Sequence, residues 1–168
     1  MGYEVPSSSL LIVDVEARVA QATTLFKGGY NCAQSVVLAY ADLYGFTKEQ
    51  ALLVSASFGG GIGRMRETCG AACGMFILAG LETGVTDPKD IDGKGYNYKV
   101  VQQLAAEFVK RNGYLRCGDL LGIPSEAPQC STPAPRTDEY YKKRPCAQIV
   151  EDAARIFGEF LSRRVRLS

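Results

Sequence analysis

The sequence predicts an all-α fold, a single domain built as a helical bundle of about six helices. Three observations carry this reading. Apolar residues recur at spacings of three and four along most of the chain, each run is bracketed by a capping residue or a glycine, and no stretch of comparable quality alternates with the period of two that a strand requires. At 168 residues the chain has an ordinary single-domain size, so one domain over 1–168 is expected.

Taken in order, Ser9 is the expected cap of a first helix through Ile12, Val15, Val19, Ala22 and Phe26, ending at Gly28 and Gly29. Asn31 caps a second helix, with Cys32 in its first turn and Ala33, Val36, Val37, Tyr40, Leu43 and Tyr44 on one side until Gly45. Thr47 and Gln50 form a capping box ahead of a third. Four of the five residues 59–63 are glycine, which permits positive φ and leads the chain tightly into a helix starting near Thr68. Gly70 and Gly74, one turn apart, leave a bare strip on which a neighbouring helix packs closely, which places this helix at the centre. Residues 83–95 read as a surface connection, followed by a long helix through Val100, Leu104 and Phe108 to Asn112 and Gly113. Pro124, Pro128, Pro133 and Pro135 make 122–136 an irregular excursion. Pro145 opens the last helix, with Ile149, Val150, Ala153, Ile156, Phe157, Phe160 and Leu161 on one face.

Composition excludes several functions. Nineteen basic and eighteen acidic residues leave a net charge of +1, which creates no field for nucleic acid or an anionic membrane, and Arg163, Arg164 and Arg166 read as a solvated tail. The longest charge-free helical stretch, 69–81, is thirteen residues, whereas a membrane span needs roughly 20. No membrane insertion is expected. Residues 1–6 lack the positive region of an export signal, so a cytoplasmic location is expected. In a reducing compartment six cysteines point to redox turnover or metal binding rather than a permanent disulfide framework.

Four of those cysteines stand at expected helix starts: Cys32 after Asn31, Cys69 after Thr68, Cys117 before the short apolar turn to Leu121, and Cys146 after Pro145. First-turn amides are unpaired donors and the helix carries roughly +0.5 charge there, so thiolates are expected at these positions. Cys73 follows Cys69 by one turn within an apolar helix and reads mainly as a small buried hydrophobe. Cys130, in the Pro-rich excursion, reads as incidental. Zinc-ribbon and CxxC spacings are missing, and without histidine CxxCH haem attachment is impossible. Gly59, Gly60, Gly61, Arg64 and Arg66 are the candidates for holding an anionic cofactor or substrate. Since both phosphate-loop signatures are absent, close packing is the better reading of the glycines, and Arg64 and Arg66 are as readily solvated. Tyr30, Tyr40 and Tyr44 read as packing residues.

Gly-Tyr-Asn-Cys-Ala-Gln-Ser at 29–35, Phe-Gly-Gly-Gly-Ile-Gly at 58–63, Cys-Gly-Ala-Ala-Cys-Gly at 69–74, Cys117-Gly-Asp-Leu-Leu and the segment from Cys146 together resemble the C_GCAxxG_C_C family of redox-active proteins. The resemblance spans roughly residues 15–160. It implies an all-helical redox protein, often associated with transport, whose hallmark cysteines fall on Cys32, Cys69, Cys117 and Cys146. A looser similarity to split-Soret cytochromes lets only a cluster carry over, since their haem-attachment residues are missing.

Three functions follow as expectations. In thiol-disulfide chemistry, Cys32 and Cys69 are the reactive end and Cys117 and Cys146 the resolving or second pair. In a metal protein, the same four cysteines ligate an iron-sulfur cluster or zinc. In a structural protein, the cysteines are inert and the chain partners a membrane transporter. A homodimer through the glycine-rich central helix is also expected.

Overall fold

The computed structural model describes the backbone of residues 12–167 and the side chains of 12–164. Helix α1 runs Val15–Lys27. It is capped by Asp14, whose carboxylate accepts from the Ala17 amide at 3.0 Å. The expected cap Ser9 lies outside the described residues, and Ile12 is 95% exposed rather than on the apolar stripe, because the Asp14 cap starts the helix after it. Helix α2, Cys32–Tyr40, opens with a reciprocal capping box of Asn31 and Gln34. It tightens into a 3₁₀ turn, Ala41–Tyr44, that Gly45 ends at φ 70°. Helix α3, Lys48–Ser55, has the expected Thr47 and Gln50 box.

Helix α4, Gly70–Thr83, is the central element, with Ala71, Ala72, Met75, Leu78 and Ala79 buried. A Cβ at Gly74 would sit 2.9 Å from Val36 Cβ, so α2 occupies the glycine strip.

Helix α5, Ile91–Asn112, begins within the segment expected to be a connection. Asp90 accepts from the Gly93 amide at 2.8 Å, and Gly93 leaves room for that carboxylate, which a Cβ would meet at 2.3 Å. The short α6, Cys117–Leu121, is followed by irregular chain and then by α7, Asp138–Lys143. The sequence reading gave six helices because α6 was read only as a turn and α7, a single capped turn and a half, has no buried residue to create a periodic signal. Helix α8, Cys146–Leu167, closes the bundle.

The core lies among α1, α2, α4, α5 and α8. Tyr40, fully buried, donates its hydroxyl to the Ala154 carbonyl at 2.6 Å and meets Phe157 edge to face. Gly158 makes that reach possible, since a Cβ there would lie 2.5 Å from the Tyr40 oxygen. Arg164 departs from the solvated tail expected of it: it pairs with Glu82 at 3.1 Å and donates to the Tyr96 hydroxyl at 2.7 Å. Among the described residues no helix is long and apolar enough to cross a membrane.

Candidate functional site

Local hydrogen bonding assembles the site from distant stretches of chain. Thr68 and Arg116 form an isolated antiparallel bridge. Around it the Cys69 amide donates to the Leu115 carbonyl at 2.9 Å, and the Cys117 amide to that of Glu67 at 2.6 Å. Cys69, the N-cap of α4, and Cys117, the first residue of α6, are thereby held on neighbouring strands of irregular chain. Cys32 arrives on α2, which presses so closely on α4 that a Cβ at Gly70 would lie 2.4 Å from its sulfur. Cys146 arrives as the first residue of α8.

All four line one cavity of about 60 Å³, together with Gly60, Arg66, Arg136, Tyr140 and Arg144. The loop leading into α4 shapes one wall. Gly60, Gly61, Ile62, Gly63, Arg64 and Arg66 all have positive φ, between 59° and 74°. Three of these are not glycine, and for such residues the left-handed conformation costs roughly 1–2 kcal/mol each. Bonds such as Arg64 N–H to Gly59 O (3.1 Å) and Glu67 N–H to Gly61 O (2.9 Å) hold the turn. Gly61 packs against Cys117, whose Cβ would be 2.5 Å from an added one. Gly59 abuts the Asn31 side chain in the same way, at 2.6 Å. The glycines thus serve close packing, as the sequence suggested, and the packing is against the residues that carry and cap the cysteines.

Residues 30–160 match the family model described as "Putative redox-active protein (C_GCAxxG_C_C)". The chain belongs to the C_GCAxxG_C_C family. No curated protein and no solved structure matches it. Membership of the C_GCAxxG_C_C family gives the protein a redox role, and the four-cysteine cavity is where this chain concentrates its redox-capable side chains.

The electrostatics of that cavity differ from the expectation of four thiolates. Burial is the largest influence on Cys32 and raises its thiol, against the opposing backbone amides of Gly60, Ala33 and Cys32 itself. Cys32 keeps partial exposure, but to the cavity, and protein surrounds it closely enough for desolvation to win. Cys69 is pushed well above the ordinary thiol value by burial and by Cys32; the Ala72 and Ala71 amides oppose this, although the sulfur makes no cap hydrogen bond of normal geometry. Burial raises Cys146 to about 11, with Cys32 and Cys117 adding to it and Arg144 and Arg136 subtracting. A helix N-terminus offers a fractional charge at the surface of the helix. Removing a thiolate from water costs more.

Arg66 Nη1 lies 3.8 Å from the Cys117 sulfur. Cys73 does not line the cavity. It is buried, donates weakly to the Thr68 carbonyl at 3.8 Å, and is raised to about 11 by burial. Cys130 lies outside the cavity, exposed, and its thiol is lowered by the backbone and hydroxyl of Thr132, with Arg64 contributing less. The residue read as incidental thus has a lowered thiol.

Among the described residues no three His, Cys, Asp or Glu side chains are grouped so as to hold a metal ion. The four sulfurs surround the cavity without being grouped as a ligand set.

Sequence reading missed Arg136, Tyr140 and Arg144. Arg136 donates to the carbonyls of Phe26 (3.2 Å) and Tyr30 (3.3 Å) and stacks on Phe26 and Tyr140, which ties the irregular segment to the end of α1. Arg144 stacks on the other contact of Tyr140, 4.8 Å from its ring centre. Alternation of Arg and Tyr around a Pro-rich segment is a signal for such stacking, but nothing in it names the cysteines as neighbours.

Proposed function

We propose that the protein performs thiol-disulfide exchange in the four-cysteine cavity, with Cys117 as the attacking sulfur and Cys32 as its resolving partner. The observation that carries this reading is the meeting of four cysteines from four separate elements at one cavity that also holds arginine. Cys117 is preferred for attack because its sulfur accepts from the Arg66 guanidinium at 3.8 Å, the arginine contact among the cavity sulfurs. Cys32 is preferred as partner because it lines the same cavity as Cys117 and the two sulfurs influence one another there.

The reaction needs a disulfide-bearing substrate. The Cys117 thiol loses its proton, its sulfur attacks one sulfur of the substrate, and the substrate's S–S bond breaks; the departing sulfur takes up a proton. The Cys32 thiol then loses its proton and attacks the Cys117 sulfur, releasing the second half of the substrate as a thiol. Two electrons pass from the protein to the substrate, and a protein disulfide remains. A disulfide is neutral, so it removes the burden of burying thiolates. This is why a crowded, desolvated set of thiols suits two-electron chemistry.

The test is thiol counting on reduced protein before and after exposure to a low-molecular-weight disulfide, with peptide mapping of the product without reductant. Loss of two cavity thiols and a Cys32–Cys117 linkage are expected. Retention of all the cavity thiols would overturn the proposal. Metal analysis and a visible spectrum of protein purified without oxygen, run beside it, test the cluster reading, which requires the four sulfurs to draw together.

A further inference from the structure

A second cavity, of about 400 Å³, adjoins the first. The two share Asn31, Gly60, Arg66, Arg136, Tyr140 and Arg144, so a molecule in the larger one stands at the entrance to the cysteines. Arg64 joins Arg66, Arg136 and Arg144 in its lining, and no carboxylate does. Elsewhere five arginines are matched by acid: Arg18 pairs with Asp42, Arg111 with Glu159, Arg116 with Glu67, Arg155 with Glu16 and Arg164 with Glu82. Among the described residues none of the four cavity arginines has a carboxylate in salt-bridge range. They are positioned instead by carbonyls and rings: Arg64 by the Cys130 (2.8 Å) and Thr132 carbonyls, Arg136 by those of Phe26 and Tyr30, and Arg144 by Tyr140. All four remain half-buried.

Half-buried guanidinium groups held together without acid repel one another, and an anion relieves that repulsion. The volume accommodates a small organic molecule and is larger than a simple oxyanion needs. We propose that this cavity docks a small anionic disulfide, one carrying carboxylate or comparable groups on both halves, and delivers its sulfurs to Cys117. The assignment rests on the thiol-disulfide reading above and adds the charge and size of the substrate. The arginines take the anionic groups, the S–S bond lies toward the shared wall, and the exchange then follows the steps already given, releasing two anionic thiols.

The test compares three disulfides of similar length with reduced, full-length protein: dithiodipropionate (anionic), hydroxyethyl disulfide (neutral) and cystamine (cationic). Protein thiols are counted against time at low and at high salt. Oxidation about tenfold or more faster with dithiodipropionate than with hydroxyethyl disulfide, slowest with cystamine, and levelling at high salt, is expected from a cleft of one sign of charge. In Arg144→Gln, and in Arg64→Gln combined with it, the ratio of anionic to neutral rates falls. In Arg163→Gln, on the exposed side of α8, the ratio is unchanged. Equal rates for the three reagents, or a faster cystamine reaction, would overturn the anionic site while leaving thiol-disulfide exchange standing. No oxidation by any of them would overturn both.

Discussion

Cys130 and Cys146 carry the same functional group in opposite surroundings. Cys130 is exposed, and its thiol is lowered by the Thr132 backbone and hydroxyl, with a smaller contribution from Arg64. Cys146 is raised to about 11, chiefly by burial. Thiolate is the reactive form, so the two should separate cleanly in a modification experiment. With iodoacetamide at neutral pH, peptide mapping should find Cys130 labelled first. Cys146 should lag, and its rate should climb about tenfold per pH unit up to roughly its raised value. Cys130→Ser should remove the fast phase and leave the slow one. Labelling of Cys146 as quickly as Cys130 at neutral pH would show that burial does not control it. At the same scale, Asn31→Ala removes the side-chain half of the box that starts α2, leaving the backbone N–H to Gln34, together with the amide donated to the Ala56 carbonyl at 3.0 Å. A loss of about 1 kcal/mol by urea denaturation is expected.

At the scale of elements, α4 provides a paired experiment on what its glycines do. A Cβ at Gly70 would lie 2.4 Å from the Cys32 sulfur and 2.6 Å from the Phe58 carbonyl oxygen, so Gly70→Ala must push α2 or the glycine-rich loop away. A loss of roughly 1–3 kcal/mol is expected from such overpacking. At Gly80, on the same helix, a Cβ meets nothing within 4 Å, and Gly80→Ala should stabilise the protein by about 0.5–1 kcal/mol through helix propensity alone. Denaturation midpoints that move in opposite directions check the pair; two equal shifts would mean that propensity, not contact, governs α4. The same contrast explains what the sequence made legible. Caps at Asn31 and Thr47, the bare strip at Gly70 and Gly74 and the apolar face of α8 are local patterns, and each stands as read. The early start of α5 was hidden because Gly93 and Gly95 read as loop, whereas Asp90 needs the space that Gly93 leaves. The arginine wall was hidden for a different reason. Arg64 and Arg66 come before α4 and Arg136 and Arg144 flank α7, and only the fold of the irregular segment back over α1 places them together.

For the molecule as a whole, the raised thiols make stability depend on pH in a definite direction. The expected helix-start thiolates would have given the reverse sign, because a lowered thiol stabilises the folded state above its own pKa. Here the folded state holds protons that an unfolded chain releases above the ordinary thiol value of 9.0. The contribution is therefore complete below about pH 9 and is lost as pH rises toward the folded values, about 11 for both Cys73 and Cys146. Cys32 and Cys69 shift the same way, and so do the buried phenols Tyr40 and Tyr44, whose losses follow at still higher pH. Cys73 is the cleanest reporter because it lies off the cavity, away from the arginines, with 6% of its surface exposed. A shift from 9.0 to about 11 corresponds to about 3 kcal/mol. Urea denaturation of reduced protein at a series of pH values should show a plateau to about pH 9 followed by a decline, and the decline should be shallower in Cys73→Ala relative to that variant's own plateau. Oxidation to a Cys32–Cys117 disulfide removes the raised Cys32 thiol, so the oxidised protein should decline less than the reduced one over the same interval. A flat profile from pH 9 to 11 in reduced protein would mean that water reaches these sulfurs freely, and with it would go the argument that a neutral disulfide is the favoured end state of the cavity.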